Sequence, residues 1–129
     1  MGTTDERGQF MANILVVDDQ MGVRRLLFET FKEEGHLVKM AENGNEALRV
    51  LEGYKPDLII MDMKMPEMNG IDTLKEIRTF NQDVQVIMMT AYGDAQTMER
   101  AQEQGVMHYI SKPFDLFELR DVVRDLLNK

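Results

Sequence analysis

"LIIMDMKMPEMNG", residues Leu58 to Gly70, decides the fold. Leu58, Ile59, Ile60 and Met61 run apolar without alternation, the pattern of a buried strand. The run ends at Asp62, and Lys64, Pro66 and Gly70 follow. A carboxylate at the tip of a buried strand needs a reason. In open α/β sheets the carboxyl edge of the strands is where ligands are held. Asp62 is therefore a candidate for chemistry.

Outward from this stretch the chain alternates regularly. "NILVV" (Asn13 to Val17) is a strand that ends at Asp18 and Asp19. Val23, Leu26, Leu27 and Phe31 then recur at helical spacing and define a buried stripe, with Gly35 as its stop. "LVKMA" (Leu37 to Ala41) is a second strand, closed by the turn pair Asn43-Gly44. Ala47, Leu48 and Leu51 mark the next helix. After Asp62, Ile71, Leu74, Ile77 and Arg78 continue as a third helix. "VQVIMMT" (Val84 to Thr90) is a fourth strand, followed by a weaker helix from Ala95 to Gln104 that Gly105 stops. "VMHYIS" (Val106 to Ser111) is the fifth strand. Asp115 offers an N-cap, with Glu118 as its capping-box partner. The last helix, Leu116 to Leu127, turns Leu119, Val122, Val123, Leu126 and Leu127 to one side. Five β-α repeats with short connections imply an α/β fold: a doubly wound, mostly parallel sheet with helices on both faces. Right-handed crossovers put all five carboxyl ends on one edge.

Composition sets the limits. The 129 residues suffice for one core. Residues 1–10, polar and without periodicity, read as a leader or tag without regular structure, and residues 11–129 as a single domain. No apolar run nears the roughly 18 residues of a membrane span. With no signal-peptide pattern, the expected location is cytoplasmic. Cysteine is absent, which excludes thiol chemistry and disulfides. A net charge of −8 argues against nucleic acid as partner, and the missing apolar run against a membrane. Of the 12 methionines, Met61, Met88 and Met89 read as core filler, whereas Met63, Met65 and Met68 flank the candidate edge as packing or as a flexible rim. His36 and His108 lack ligand spacing and read as surface residues.

The polar residues at strand ends form a constellation. Asp18 and Asp19 follow strand one, Asp62 ends strand three, Thr90 ends strand four, and Lys112 with Pro113 follows strand five. Two carboxylates about 4 Å apart repel by roughly 4 kcal/mol at an effective dielectric near 20. Three together require a cation or protonation. Oxygen ligands on an open edge suit Mg²⁺. Lys112 adds a positive point charge and Thr90 a hydroxyl donor. Such a site suits phosphoryl transfer, which needs positioning and charge neutralisation. A carboxylate can itself be the nucleophile. Asp62 stands alone at mid-edge and fits that role. Asp18 and Asp19 are better placed to hold metal.

"VVDD", "MDMKMPEMNG", "MTAYG" and "SKPF", in this order, resemble the receiver domain of two-component response regulators, over essentially residues 12–128. The resemblance implies a flavodoxin-like fold of strand order 2-1-3-4-5. It implies phosphorylation on Asp62. It implies Mg²⁺ held by Asp19, Asp62 and the backbone carbonyl of Lys64, with Asp18 acting mostly through water. Thr90 and Lys112 would contact the phosphoryl oxygens, Thr90 and Tyr109 would be switch residues, and the Lys112-Pro113 bond would be cis. "DDQMGVRRLL", "DMKMPEMNGI", "MTAYGD" and "KPFDLFELRD" narrow the likeness to stand-alone regulators of sporulation phosphorelays in spore-forming Gram-positive bacteria. Gln20 after the acidic pair favours this. Tyr109 departs from it, since the sporulation pattern has His three residues before the lysine, and here His108 stands beside that position.

The function implied is a phosphoacceptor rather than an enzyme with a separate substrate. It would take a phosphoryl group from a histidine kinase and hand it to a four-helix-bundle phosphotransferase, with an aspartyl-phosphate phosphatase as a further partner. The chain ends after the fifth helix, so the expectation is output through protein contact. Gln20, Met21, Gly22, Arg25 and Phe28 on the first helix, with Pro113 and Phe114, are the candidate docking residues. The alternative is a stand-alone receiver that signals by phosphorylation-dependent binding, as in chemotaxis or nitrogen regulation. An FMN-binding flavodoxin would need a hydroxyl- and glycine-rich phosphate loop where Asp18 and Asp19 stand. A haloacid-type phosphatase would carry D-x-D on strand one. No P-loop motif occurs.

Overall fold

The computed structural model describes residues 3–4, 10–90, 95–106 and 108–128. Five parallel strands form the sheet: β1 (Asn13–Val17), β2 (Leu37–Ala41), β3 (Leu58–Asp62), β4 (Gln85–Thr90) and β5 (His108–Ser111). Their spatial order is β2-β1-β3-β4-β5. The helices are α1 (Met21–Glu33), α2 (Gly44–Val50), α3 (Gly70–Arg78), α4 (Ala95–Glu103) and α5 (Leu116–Leu127). This is the expected doubly wound topology. The fourth strand begins at Gln85 rather than Val84 and the fifth at His108 rather than Val106. Most of the leader lies outside the described residues, but Thr3–Thr4 pair antiparallel with Phe10–Met11.

The apolar runs lack alternation because each strand feeds two cores. Successive side chains point to opposite faces of a sheet. Ile14, Val16, Leu58, Ile60, Ile87 and Met89 therefore pack on one side against Leu27 and Phe31 of α1 and Leu119 and Val123 of α5. Leu15, Val17, Ile59, Met61, Val86 and Met88 pack on the other against Ile71, Leu74 and Ile77 of α3. The stripe on α1 differs from the expected one. Leu27 and Phe31 are buried, but Leu26 is 45% exposed. It sits with Gly22, Arg25 and Glu29 on the solvent face, one helical step away from the Leu27–Phe31 line. Phe28 instead packs half-buried against the core. His36 and His108 are half-buried rather than on the surface. His36 Nδ1 accepts the Ala12 N–H at 3.0 Å, beside the entry to β1.

Caps fix where helices start. Asn43 accepts from the Glu46 N–H, so Asn43-Gly44 opens α2 and is not a free turn. Asn69 caps α3 through the Asp72 N–H. Asp115 accepts from both the Phe117 and Glu118 N–H groups, so Glu118 joins the cap through its backbone. Gly44 has a further constraint. A Cβ there would collide with the Thr73 hydroxyl and lie 3.2 Å from Met68 Sδ. Thr73 is fully buried and donates to the Asn69 carbonyl at 2.9 Å, so it cannot yield cheaply. Gly22 on α1 has nothing within 4 Å of the same position. Gly44→Ala should therefore cost about 1–3 kcal/mol. Gly22→Ala should instead stabilise by up to about 1 kcal/mol through helix propensity. Urea unfolding of both variants tests this, and equal shifts of one sign would refute the packing account.

Candidate functional site

The strand ends converge as the topology requires. Asp18 follows β1 and its N–H is bound to the Ala41 carbonyl at 3.1 Å. Asp62 closes β3 and Thr90 closes β4. Lys112 follows β5, its N–H donates to the Thr90 carbonyl at 2.7 Å, and the Lys112-Pro113 bond is cis as expected. Asp18, Asp62 and Thr90 are buried at 0%, 6% and 5% exposure, whereas Asp19 is exposed.

Lys112 joins these groups. Its Nζ donates to Asp18 Oδ2 at 2.7 Å, to Asp62 Oδ2 at 3.1 Å and to Gln20 Oε1 at 3.3 Å. Asp18 Oδ1 accepts the Gln20 N–H at 2.8 Å, and Asp62 Oδ1 accepts the Lys64 N–H at 3.2 Å. The Lys64 side chain points to solvent. Among the described residues Lys112 thus supplies a cation from the chain itself to the acidic cluster. Burial pushes the Asp62 carboxyl above its usual range; Lys112 opposes this and Asp18 adds to it. Burial alone would lower the Lys112 ammonium, but the hydrogen bonds and charges of Asp18 and Asp62 outweigh it and hold Lys112 above the usual lysine range.

The donor set fits a hard cation. Carboxylate oxygens of Asp18, Asp19 and Asp62 lie within 4.8 Å of one another. Such a group of oxygen donors would suit Mg²⁺, which takes carboxylates and keeps several waters. Asp19 accepts no hydrogen bond among the described residues, which leaves its carboxylate available. Asp18 already has both oxygens engaged by the protein.

Several contacts at the site had no signal in the sequence. Arg24 on α1 donates from Nη1 to the Asp18 carbonyl at 2.7 Å, fixing the backbone beneath the acidic pair. Its place on α1 gave no hint, because Arg at a helix surface is ordinarily solvated. Gly70 starts α3, and a Cβ there would meet the Asp62 carbonyl at 2.6 Å and Met63 Cα at 3.0 Å. The glycine therefore lets α3 begin directly against the backbone of the central carboxylate. Glu67 has φ +69°, and the Met68 N–H reaches the Pro66 carbonyl at 2.7 Å, a tight three-residue turn about Glu67. Met63 is buried and Met65 packs half-buried on the core. Packing, rather than a free rim, describes these two.

The remaining candidates are placed as follows. Tyr109 is half-buried, and its hydroxyl lies 3.2 Å from the Met98 carbonyl and 3.3 Å from that of Val106, one of which it donates to at a time. Burial raises its hydroxyl above the usual range. Gln20, Met21, Gly22 and Arg25 are exposed, with Met21 at 65%. Phe28 and Phe114 are half-buried against the core, and Pro113 is exposed. The exposed face of α1 thus contains Leu26 in place of much of Phe28.

The raised Asp62 carboxyl has a consequence for stability. Its folded-state pKa lies above the unfolded value of 3.8, so the folded state holds the proton longer. Stability then falls as pH rises from about 3.8 through the folded value, and the full penalty is present above it. In metal-free buffer Asp62→Asn should be more stable than the parent at pH 7, and the gain should fade towards pH 4. Thermal unfolding across this range checks it; a gain independent of pH would show that the carboxylate is not the cause.

Comparison with known proteins agrees with this geometry. The response regulator receiver domain model matches residues 14–124. The chain is 43% identical to sporulation initiation phosphotransferase F of Bacillus subtilis, covering 88% of this chain and 92% of that protein. It is 39% identical to chemotaxis protein CheY of Halobacterium salinarum, covering 88% and 95%. Among solved structures, the chemotaxis response regulator CheY4 of Vibrio cholerae superposes with a TM-score of 0.84 at 28% identity, covering 91% of this chain and 99% of that one. Sheet order, strand-end acids and sequence likeness agree: this chain belongs to the response regulator receiver domain family of two-component signalling.

Proposed function

We propose that this chain is a phosphorelay intermediate that accepts a phosphoryl group on Asp62 and passes it to a second histidine. The observation that carries the reading is Lys112 Nζ, 3.1 Å from Asp62 Oδ2 and 2.7 Å from Asp18 Oδ2, beside the exposed Asp19. In the accepting step an Asp62 carboxylate oxygen forms a bond to phosphorus. The P–N bond to the kinase imidazole breaks, and the nitrogen keeps the electron pair. The product is an acyl phosphate. The onward step runs the same exchange with the imidazole of a four-helix-bundle phosphotransferase as nucleophile. Lys112 neutralises charge on the phosphoryl oxygens, and the Thr90 hydroxyl at the end of β4 donates to one of them. Asp19, Asp62 and the Lys64 carbonyl would hold Mg²⁺, with Asp18 acting mainly through water, and the ion would supply further positive charge there. Thr90 and Tyr109 act as the switch pair on adjacent strands. The chain thereby acts as a phosphoacceptor and not as an enzyme with a separate substrate.

Relay is supported by the name and match length of the sporulation relative. Binding without relay is the second reading, supported by the chemotaxis relative. Cytoplasmic protein partners, including a phosphatase that acts on the acyl phosphate, suit the charge of −8 better than nucleic acid or membrane. Among the described residues no helix is long and apolar enough to cross a bilayer.

Acetyl phosphate with Mg²⁺ should add a hydroxylamine-labile phosphoryl group to the parent, with at least a hundredfold loss in Asp62→Asn. A variant labelled at the parent rate would remove Asp62 as acceptor. Docking is tested separately with Gly22→Arg, which places a long cation on the exposed face of α1. Transfer from a sporulation-type kinase and to its phosphotransferase should drop about tenfold or more while labelling by acetyl phosphate persists. Unimpaired transfer in both directions would place the interface elsewhere.

A further inference from the structure

We infer that Gln20 is a positioning residue for Lys112, holding the ammonium at the mouth of the site through its side-chain carbonyl. The inference concerns the phosphoacceptor site proposed above and deepens that reading. An ammonium has three N–H donors, and Lys112 points them at three acceptors. Asp18 Oδ2 lies at 2.7 Å, Asp62 Oδ2 at 3.1 Å and Gln20 Oε1 at 3.3 Å. The two carboxylates are buried, and Gln20 is the exposed and neutral member of the set.

A second observation comes from the helix itself. Gln20 occupies the N-cap of α1 in an extended conformation, yet its side chain makes no capping hydrogen bond. Asn43, Asn69 and Asp115 at the starts of α2, α3 and α5 each accept an N–H of the first turn. Short side chains suit that task. A glutamine does not, and α1 also has no acidic residue in its first turn. The position forgoes local helix stabilisation and spends its side chain on Lys112 instead. The Gln20 backbone N–H meanwhile binds Asp18 Oδ1 at 2.8 Å. One residue therefore holds the Asp18–Lys112 pair at both ends.

The contact also has a use when the charge of the site changes. A phosphoryl group on Asp62 presents new anionic oxygens, and Lys112 must exchange an acceptor to meet one. Gln20 Oε1 is the longest and least charged of its three contacts, hence the one most easily given up. Until then it prevents the ammonium from swinging into solvent.

Gln20→Ser separates this role from a structural one. Serine is a good N-cap but too short to reach Lys112. The variant should melt at a higher temperature than the parent, yet take up phosphoryl from acetyl phosphate roughly five- to tenfold more slowly at saturating Mg²⁺, about the net effect of one ordinary hydrogen bond. In that reaction the P–O bond to acetate breaks and acetate leaves. The ¹⁵Nζ signal of Lys112, read by NMR on the unphosphorylated protein, should shift and exchange faster in Gln20→Ser and in Gln20→Leu. Gln20→Glu keeps an acceptor in reach and should keep the slow-exchanging signal. Parent-like uptake and a parent-like Nζ signal in Gln20→Ser would overturn the assignment. A parent protein that takes no label would instead overturn the phosphoacceptor reading, and the Nζ signal alone would then decide whether Gln20 holds Lys112.

Discussion

The ammonium of Lys112 between two buried carboxylates is the interaction on which the site depends. Its partners lie 94 and 50 positions away in the chain. They meet because β1 and β3 are neighbours and β4 brings β5 to the same edge. Removing three charged groups from water costs several kcal/mol each, and the mutual attraction repays this only in part. The site has one ammonium for three acids, so it remains short of positive charge. That imbalance suits the proposed function, because a further cation beside Asp18, Asp19 and Asp62 would offset it.

Such a charged edge requires a rigid sheet beneath it. The strands provide this by sorting alternate residues into two separate apolar cores. Every residue of β3 is buried, from Leu58 to Asp62. The carboxylate therefore emerges from a strand whose position is fixed from both sides. The cores also exclude water from below, so burial can push the Asp62 carboxyl upward while solvent reaches the open side.

The fold was legible in the sequence because its determinants are periodic. Unbroken apolar runs gave strands, 3.6-residue spacing gave helices, and their alternation gave the topology. The strand-end residues Asp18, Asp62, Thr90 and Lys112 were legible for the same reason, since topology alone assembles them. What could not be read depends on tertiary neighbours. Leu26 and Phe28 are both apolar and flank the Leu27 line, and only packing decides which one turns inward. Gly44 and Gly70 resemble ordinary turn glycines until Thr73 and the Asp62 carbonyl are seen against them. Arg24 gives no sign in sequence that it holds the Asp18 carbonyl. Met65 could have packed or stood free, and the loop geometry settled that.

The two walls of the site are held by different means, and this has a mechanical consequence. On the β3–α3 side the constraint is close approach of the backbone, with side chains packed against it. Gly70 abuts the Asp62 carbonyl, the turn at Glu67 is tight, and the Asn45 amide reaches Glu67 at 3.4 Å. The N-terminus of α2 locks onto α3 at Gly44 and Thr73. On the opposite side backbone bonds fix Asp18 and Lys112, but the mouth is closed by side-chain hydrogen bonds of Gln20 and Lys112, next to the exposed Pro113. Side-chain hydrogen bonds at a partly solvated mouth exchange partners at small cost, whereas displaced backbone strains everything packed on it. A change of charge at Asp62 would therefore meet least resistance on the α1 and β5 side. That side also carries the exposed Met21, Gly22, Arg25 and Leu26, so the wall that yields most readily is the one most open to a partner.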